Sequence, residues 1–426
     1  MNPWTISGGF SGPPCLRGEK DLGTIKGTVR TCDARKPDIN HWMFASRTNW
    51  NLQPNRLAEA LEQHKVSDRP LLDLSASNPT ECGFKYDAPA IMRALCAPAS
   101  LQYRPDPKGL KPARQAVSDY YADRGASVAL DDLILTASTS EAYSFIFRLL
   151  CNSGDELLIP TPGYPLFDFL ADVNDVKLTR YPLFYDHGWH VDIHALRQAI
   201  TPRTRGIIVV HPNNPTGHFT REEEIAQLNQ ICFGNQMAII ADEVFLDFSL
   251  VSEQKSFVTN SGALTFTMSG ISKISGLPQM KFAWLAVSGP EAEKREALAR
   301  LEMIADTYLS LNAPIQLAAP VLLQQRKQFQ LQLMARVRAN LAELDTQLAK
   351  EKKFDRLNVE GGWYAVLRVP ATRPDEEVAI ELLEKQDVYV HPGHFYDFPA
   401  DGYLVVSLIT PEHEFKEGID RLLSAM

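Results

Sequence analysis

The sequence predicts an α/β fold, with a mainly parallel sheet covered by helices on both faces and a smaller α+β domain built from both chain ends. Three observations predict it. Short β-branched runs alternate with helical segments between residues 109 and 287, and this alternation is typical of parallel, doubly covered sheets. A long charged helix is expected next, at about 321–350. Strand-like runs without that alternation then follow, at 363–369, 388–390 and 403–408.

Each predicted element has a local signal. The segment 57–65 has the periodicity of a short amphipathic helix, and a short strand is expected at 70–75. Gly125 ends a helix predicted at 109–124. The strands predicted for the sheet are 133–136, 156–160, 206–210, 237–241, 264–268 and 282–287. The helices predicted between them are 140–151, 165–172 and 221–232.

These elements divide the chain into four parts. Residues 1–42 are rich in glycine, proline, threonine and charge, and are predicted to be a disordered, dispensable tail. Residues 43–85 are predicted to be the N-terminal part of the small domain, 86–320 the large domain, and 321–426 the C-terminal part of the small domain.

Composition argues against several partners and compartments. The 426 residues carry a formal net charge of −9, which disfavours nucleic acid or an anionic membrane as a partner. No apolar run is long enough to span a bilayer, and residues 1–30 lack the apolar core of a secretory signal. The six cysteines have neither metal-ligand nor disulfide-framework spacing, which predicts reduced thiols in a cytoplasmic protein.

Polar residues follow four of the predicted strands, at the edge where open α/β sheets bind ligands. Ser138, Thr139 and Ser140 open a helix after the first of these strands. They either offer N–H groups and hydroxyls to a phosphate or simply cap the helix. The turn HPNNPTG at 211–217 follows a later strand and either offers its asparagine amides to a ligand or is a plain loop.

The other two strand ends carry a carboxylate and an amine. Asp242 needs a cationic partner, which is either a protonated ring nitrogen or a structural ion pair. Lys273 lies among small and apolar residues, where burial lowers the pKa of an amine and lets it form a Schiff base. The alternative is a surface lysine in a turn. A phosphate cradle, a donor to a phenolic oxygen, a carboxylate for a ring nitrogen and an imine-forming lysine together match the demands of pyridoxal 5'-phosphate.

The chain also resembles the class I/II aminotransferases, which are fold-type-I pyridoxal phosphate enzymes, over about residues 44–420. The motifs that carry the resemblance occur in the family's order. They are HPNNPTG at 211–217, ADEVF at 241–245, SGISKISGLPQMKFAW at 269–284 and GGWYAVLR at 361–368. The resemblance implies a large pyridoxal phosphate-binding domain and an enzyme that moves an amino group between an amino donor and a keto acid.

The resemblance also implies a role for each site residue. Lys273 and Asp242 would be catalytic, the lysine as covalent anchor and proton carrier and the aspartate as partner of the pyridine nitrogen. Asn214 would donate to the ring oxygen, and Tyr164 would stack on the ring. The residues that would hold the phosphate are Ser138, Thr139, Ser140, Lys281 in the place of the family's arginine, and Tyr103, which would reach the site of the neighbouring subunit in a homodimer with shared active sites.

Four further positions depart from the family's pattern. Phe245 stands where a tyrosine would donate to the ring oxygen, and Gly270 where a serine would contact the phosphate. Val405 occupies the place of the arginine that binds the substrate α-carboxylate, and Ser77 that of a glycine that assists it. Either another cation takes over, or the substrate is not a simple α-amino acid.

Three residues are candidates for that cation. They are Arg104, Arg368 and His391, although each is also explained as a surface or structural residue. His391 and His394 have a spacing that suggests a metal, but no carboxylate or cysteine ligand accompanies them, so no metal is expected.

Other functions stay open beside the aminotransferase. A lyase or decarboxylase on the same scaffold would need the same lysine and cofactor, and a cofactor-binding sensor would need no turnover. The chain carries no recognisable DNA-binding module, which disfavours the sensor. A dinucleotide-binding oxidoreductase is disfavoured because no glycine-rich turn follows the first strand.

Overall fold

The computed structural model describes residues 43–426, so the tail predicted for residues 1–42 lies outside the described residues. The strands of the described chain are β1 Leu72–Asp73, β2 Leu133–Thr136, β3 Glu156–Thr161, β4 Lys177–Tyr185, β5 Trp189–Val191, β6 Thr204–Val210, β7 Ala238–Asp242, β8 Thr265–Gly270, β9 Ala283–Ser288, β10 Asp355–Arg356, β11 Tyr364–Arg368, β12 Val388–Tyr389, β13 His391–Pro392 and β14 Tyr403–Ser407.

The α-helices are α1 Arg56–Val66, α2 Ala88–Leu95, α3 Lys111–Ala122, α4 Thr139–Leu150, α5 Phe167–Asp172, α6 Ile193–Gln198, α7 Glu222–Asn235, α8 Ile271–Ile274, α9 Glu291–Tyr308, α10 Ala313–Gln324, α11 Arg326–Leu348, α12 Asp375–Gln386 and α13 Glu412–Ala425. Among residues 43–426, no helix combines the length and the apolar character needed to cross a membrane.

Eight strands form the large sheet, in the order β2-β9-β8-β7-β6-β3-β4-β5. The central pairs β8–β7, β7–β6, β6–β3 and β3–β4 are all parallel. Strand β9 runs antiparallel to both of its neighbours, and β5 runs antiparallel to β4. The mainly parallel sheet expected from the sequence is therefore confirmed.

Helices cover both faces of this sheet, because successive strand residues point to opposite sides. Ile208 packs in one buried cluster with residues of α4 and α9, whereas its neighbour Ile207 packs in another with residues of α7. Strands covered in this way are apolar on both faces, which explains why their sequences are nearly continuous hydrophobic runs.

A smaller α+β unit joins the two ends of the chain. Strand β1 pairs in parallel with β12, with Leu72 in register with Val388. A four-stranded antiparallel sheet has the order β10-β11-β14-β13, and α11 and α13 pack in the same buried cluster as its strands. This unit confirms the second part of the predicted fold, while the boundaries 43–85, 86–320 and 321–426 stay a prediction.

Several elements differ from the sequence prediction. The helix expected at 321–350 is two helices, α10 and α11, which meet at Gln325. Helix α10 packs in a cluster with α3, whereas α11 packs with the small-domain strands, and one straight helix cannot do both. The sequence pattern also fails to predict β4 and α9. Strand β4 is mostly half-buried, and α9 buries only a narrow stripe among charged residues.

The amide of Asn340 fixes α11 to the segment after β14. Its Nδ2 donates to the carbonyl oxygens of Leu408 (2.9 Å) and Thr410 (2.8 Å), and the side chain is buried. Asn340→Ala removes the donor from two buried carbonyls, and we expect the free energy of unfolding to fall by about 2–4 kcal/mol. Chemical denaturation measures this change. Arg338→Ala, on the exposed side of the same helix, is the control, and an equal loss in both variants would contradict the assignment.

Candidate active site

The ends of several strands meet at one edge of the large sheet. Ala283, at the start of β9, pairs with both Thr136 and Gly270, the last residues of β2 and β8. Asp242, the last residue of β7, pairs with Val210, the last residue of β6. The segments that follow these strands are the four polar segments singled out in the sequence, so the register brings all four to the same edge.

Asp242 is buried at this edge and is held from two sides. The Val244 N–H donates to its Oδ1 (3.1 Å), and the Tyr143 hydroxyl, from helix α4, donates to its Oδ2 (3.0 Å). Burial raises the pKa of the carboxyl group to about 6, although both donors and the charge of Lys273 oppose that rise. A further positive partner would complete the ionisation of Asp242 near neutral pH.

Lys273 lies in the short helix α8, directly after β8. Burial lowers the pKa of its amine to about 8, and the charge of Asp242 opposes the shift. Its Nζ lies 4.9 Å from the ring centroid of Trp363 and 5.7 Å from that of Phe245. The amine is therefore in an apolar, aromatic setting close to one carboxylate, where a lysine can be neutral and nucleophilic.

The turn at 211–217, which contains Asn214, is held by its own side chains. The Asn213 Nδ2 donates to Thr216 Oγ1 (2.9 Å). Gly217 has a φ of 70°, and a Cβ there would collide with a valine side chain, so the turn requires glycine. Asn214 is buried, and within the described chain its Oδ1 has no hydrogen-bond partner.

Helix α4 begins at the predicted phosphate-binding segment. Ser138 is its N-cap, and the Ser138 hydroxyl accepts a hydrogen bond from the Glu141 N–H (3.2 Å). The hydroxyls of Thr139 and Ser140 make no hydrogen bond within residues 43–426. Lys281 is exposed and stands two residues before Ala283 at the same edge. Capping and phosphate binding are therefore compatible, because the cap uses the Ser138 lone pairs and the Glu141 N–H and leaves the N–H groups and hydroxyls of Thr139 and Ser140 available.

The two predicted tyrosines lie in different settings. Burial and then the charge of Asp242 raise the pKa of Tyr164 to about 12, so its half-buried ring lies near that carboxylate. Tyr103 is 83% exposed and lines a surface cavity of about 300 Å³ with Arg104 and Leu309. In the described chain, Tyr103 makes no hydrogen bond or ring contact with the other predicted site residues.

Val405, which the resemblance places at the substrate end, lies beside an uncharged imidazole. Val405 is 1% exposed and pairs in register with Val366 on one side and His391 on the other. The His391 Nδ1 lies 3.1 Å from the Tyr396 hydroxyl. Burial lowers the pKa of His391 to about 4, so the ring is neutral at pH 7.

The other candidates for the substrate end lie elsewhere or carry no charge. Arg368 is exposed and pairs with Asp355 (2.9 Å), and Arg104 is exposed beside Tyr103. Ser77 is half-buried in the segment after β1. Within residues 43–426, no cluster of three or more histidine, cysteine, aspartate or glutamate side chains could hold a metal ion.

Two residues near the site were missed by the sequence prediction. Tyr143 reaches Asp242 from α4, and Trp363 covers the Lys273 amine. A signal for Tyr143 existed, because it lies four residues after Thr139 and thus on the same face of the helix. Trp363 carried no such signal, since its position depends on how the small domain packs on the large one.

The residues at this edge fit pyridoxal phosphate. The Asn214 amide makes no hydrogen bond within residues 43–426, so its Nδ2 is available as a donor; the first turn of α4 offers two hydroxyls without protein partners, and Asp242 lacks a full positive partner. These are the groups that would bind a ring oxygen, a phosphate and a protonated ring nitrogen.

Burial of Asp242 makes the free energy of unfolding of the cofactor-free protein depend on pH. Because the folded-state pKa of about 6 lies above the ordinary carboxyl pKa of 3.8, the folded protein holds this proton more tightly than the unfolded chain. Stability from this group is therefore lost as the pH rises from about 4 to 6, by up to about 3 kcal/mol. Asp242→Asn removes the titration. We expect its unfolding free energy, relative to wild type, to increase by this amount between pH 4 and 7 in cofactor-free denaturation experiments. A difference that does not change with pH would contradict the assignment.

Comparisons with known proteins identify the family of the chain. Residues 69–422 match the family model for aminotransferases of class I and II. The glutamate-pyruvate aminotransferase AlaA of Escherichia coli is 31% identical over 250 residues, which cover 58% of this chain and 62% of AlaA. The alanine aminotransferase of Mycobacterium tuberculosis is 27% identical over 83% of this chain and 84% of its own length.

The fold agrees as well. The solved alanine aminotransferase from Pyrococcus furiosus is similar to this chain with a TM-score of 0.79 at 22% identity, over 87% of this chain and 95% of that one. Enzymes of the matched family use pyridoxal phosphate, so the predicted cofactor is confirmed. The chain belongs to the family of class I and II aminotransferases.

Proposed function

We propose that the protein is a pyridoxal phosphate-dependent aminotransferase that moves an amino group between an amino donor and a keto acid, with Lys273 as covalent anchor and proton carrier. The observation that carries the proposal is the pairing of Lys273 with Asp242 at one sheet edge. Burial moves the pKa of the amine down to about 8 and that of the carboxyl up to about 6. Perturbed groups of this kind are typical of functional sites.

The chemistry divides between the cofactor and the chain. Bound pyridoxal phosphate supplies a carbonyl carbon that accepts the amino group and a ring that draws electrons from the substrate carbon. With a pKa near 8, the Lys273 amine can both take a proton from the substrate carbon and return it near neutral pH. Asp242 would hold a proton on the ring nitrogen, and Tyr143 would hold Asp242 in place.

The remaining residues would orient the cofactor. Asn214 would donate to the ring oxygen from its rigid turn, and the ring of Tyr164 would stack on the cofactor ring. Ser138, Thr139 and Ser140 would bind the phosphate at the start of α4, where the N–H groups and the helix dipole favour an anion. Lys281 would add charge without the two-pronged geometry of an arginine.

Two finer features complete the proposal. A homodimer with shared sites is supported by Tyr103, an exposed tyrosine without a partner in the site of its own chain, which is free to reach a neighbouring subunit. A cytoplasmic location is supported by Cys82, Cys96, Cys151 and Cys232, which are all free thiols.

The relatives are named as aminotransferases, which favours transfer over the lyase, decarboxylase and sensor alternatives. The test is to incubate the loaded enzyme with amino acids, glutamate and alanine first, and with simple amines, and to follow the absorbance of the lysine-bound cofactor. A donor that changes the absorbance should pass its labelled nitrogen to an added acceptor. Product formed over many turnovers without an acceptor would indicate a lyase or decarboxylase, and no change with any donor would indicate a sensor.

Lys273→Ala tests the role of the lysine itself. We expect nitrogen transfer to fall by at least about 10³-fold, because the proton carrier is lost, while the cofactor binds without its covalent link. Lys416→Ala, at an exposed lysine of the small domain, is the control and should transfer nitrogen at the wild-type rate. Transfer by Lys273→Ala within tenfold of wild type would refute the role of this residue.

Tyr143→Phe tests the support of Asp242. Loss of a hydrogen bond to a charged group costs about 1.5 kcal/mol or more, so we expect the cofactor to bind roughly tenfold more weakly. Tyr181→Phe is the matched control, since it removes another buried hydroxyl, which donates to the Ile208 carbonyl instead. Absorbance titration of the cofactor-free proteins measures both affinities. Equal weakening in the two variants would show a general packing effect and contradict the assignment.

A further inference from the structure

The segment around Tyr164 is connected to the small domain by direct hydrogen bonds. The Gly163 N–H donates to the Tyr396 carbonyl oxygen (2.9 Å), and the Thr161 hydroxyl donates to the Asp397 carbonyl oxygen (2.9 Å). The Tyr396 carbonyl is therefore hydrogen-bonded to the residue directly before Tyr164. Tyr396 and the His391 ring that contacts it therefore stand next to the residue proposed to stack on the cofactor.

One face of the small sheet adjoins this segment, and the register of its strands shows which residues share that face. Val405 pairs with Val366 and His391, and Tyr364 lies on the same face of β11, two residues before Val366. The Tyr364 ring lies 6.2 Å from the ring of Phe245, which is itself 5.7 Å from the Lys273 Nζ, so this face adjoins the predicted cofactor site. It is built from phenols, an imidazole and valine side chains.

The charges that act on the residues of this face are negative, and Arg180, which reaches the adjoining Asp397 (2.6 Å), is also paired with Asp168 (2.8 Å). Burial keeps the His391 ring neutral at pH 7. The acidic side chain of Asp73 acts on the phenols of Tyr364 and Tyr389. Within residues 43–426, no arginine or lysine contributes to the pKa shifts of His391, Tyr364, Tyr389 or Tyr396.

Neither candidate arginine supplies a cation to this face of its own chain. Arg368 ends strand β11, four residues from Tyr364, which is about 13 Å along a strand, and it pairs with Asp355. Arg104 is exposed and lines the cavity beside Tyr103. A carboxylate placed beside His391 and Val405 would lose its water without gaining a cation from the described residues of its own chain, which strongly disfavours it. An uncharged polar group would instead find hydrogen-bond partners in the imidazole and the phenol.

We propose that His391 and Tyr396 are the specificity-determining pair of this site, and that they select an amino donor whose reacting carbon bears an uncharged group, such as an amide, an alcohol or a hydrocarbon, in place of a free carboxylate. The inference rests on the proposed aminotransferase function and narrows it. Because donor and acceptor use one site in turn, the carbonyl carbon of the acceptor would also bear an uncharged group, and the acid group of the keto acid would lie elsewhere in that molecule.

The test compares donors that differ only in this group. L-Alanine is matched with L-alaninamide, and L-phenylalanine with 2-phenylethylamine, in single-turnover experiments that follow the absorbance of the lysine-bound cofactor. We expect the rate constant divided by the donor dissociation constant to be at least about tenfold greater for the uncharged member of each pair. Equal values, or a preference for the free amino acids, would overturn the proposal.

A binding measurement separates this proposal from the proposed function. Isobutyramide and isobutyrate have the same shape and cannot transfer an amino group, and calorimetry with the cofactor-loaded enzyme gives their dissociation constants. We expect the amide to bind at least about tenfold more tightly. If it does so while no donor reacts, the proposed aminotransferase function is wrong and the proposed specificity of the site still holds. Tighter or equal binding of isobutyrate, or no binding of either compound, would overturn the proposal.

Substitutions locate the preference in the pocket. Val405→Arg adds a cation, and we expect it to shift the preference towards L-alanine over L-alaninamide by at least about tenfold, whereas Val405→Met, of similar length but uncharged, should keep the wild-type ratio. His391→Phe should weaken isobutyramide binding about tenfold while the absorbance of the bound cofactor reports an intact site. If His391→Phe binds isobutyramide as wild type does, the pair is not the selecting element.

Discussion

The site depends on the shared burial of one acid and one amine at the edge of a parallel sheet. Desolvation drives the pKa values of Asp242 and Lys273 towards each other, to about 6 and about 8, although each charge stabilises the other. An ion pair in water would hold both groups firmly charged. In this setting each group is close to its titration point, so each can hand over or hold a proton at neutral pH at little cost.

That arrangement is maintained by contacts behind the sheet edge. Asp247 accepts hydrogen bonds from Arg124 (2.6 Å) and from the Gln330 amide (2.7 Å). The same amide donates to the Ile274 carbonyl oxygen (2.9 Å), one residue beyond Lys273. Helix α11 of the small domain is thereby tied to the short helix that carries the lysine. The backbone of Lys273 is fixed by both domains, which leaves the amine as the mobile part.

The residues at the cofactor end could be predicted from the sequence because a parallel sheet brings its strand ends together whatever the details of packing. Asp242, Asn214, Lys273 and the start of α4 could be predicted as neighbours on that ground alone. Gly270 shows the limit of the argument. A Cβ there would lie 2.9 Å from the Cβ of Ala283 on the paired strand, so the pairing excludes the serine that the resemblance implies, and this cannot be read from the local sequence.

The substrate end could not be predicted in the same way, because its residues come from a second sheet. His391 and Val405 are fourteen positions apart, and only the antiparallel register of β13 and β14 makes them neighbours. Trp363 reaches Lys273 through domain packing for which no local pattern exists. The large sheet therefore determines which cofactor is used, while the small sheet determines which group beside the reacting carbon is accepted. A change in substrate then requires changes on one face of the small sheet and leaves the paired acid and amine untouched.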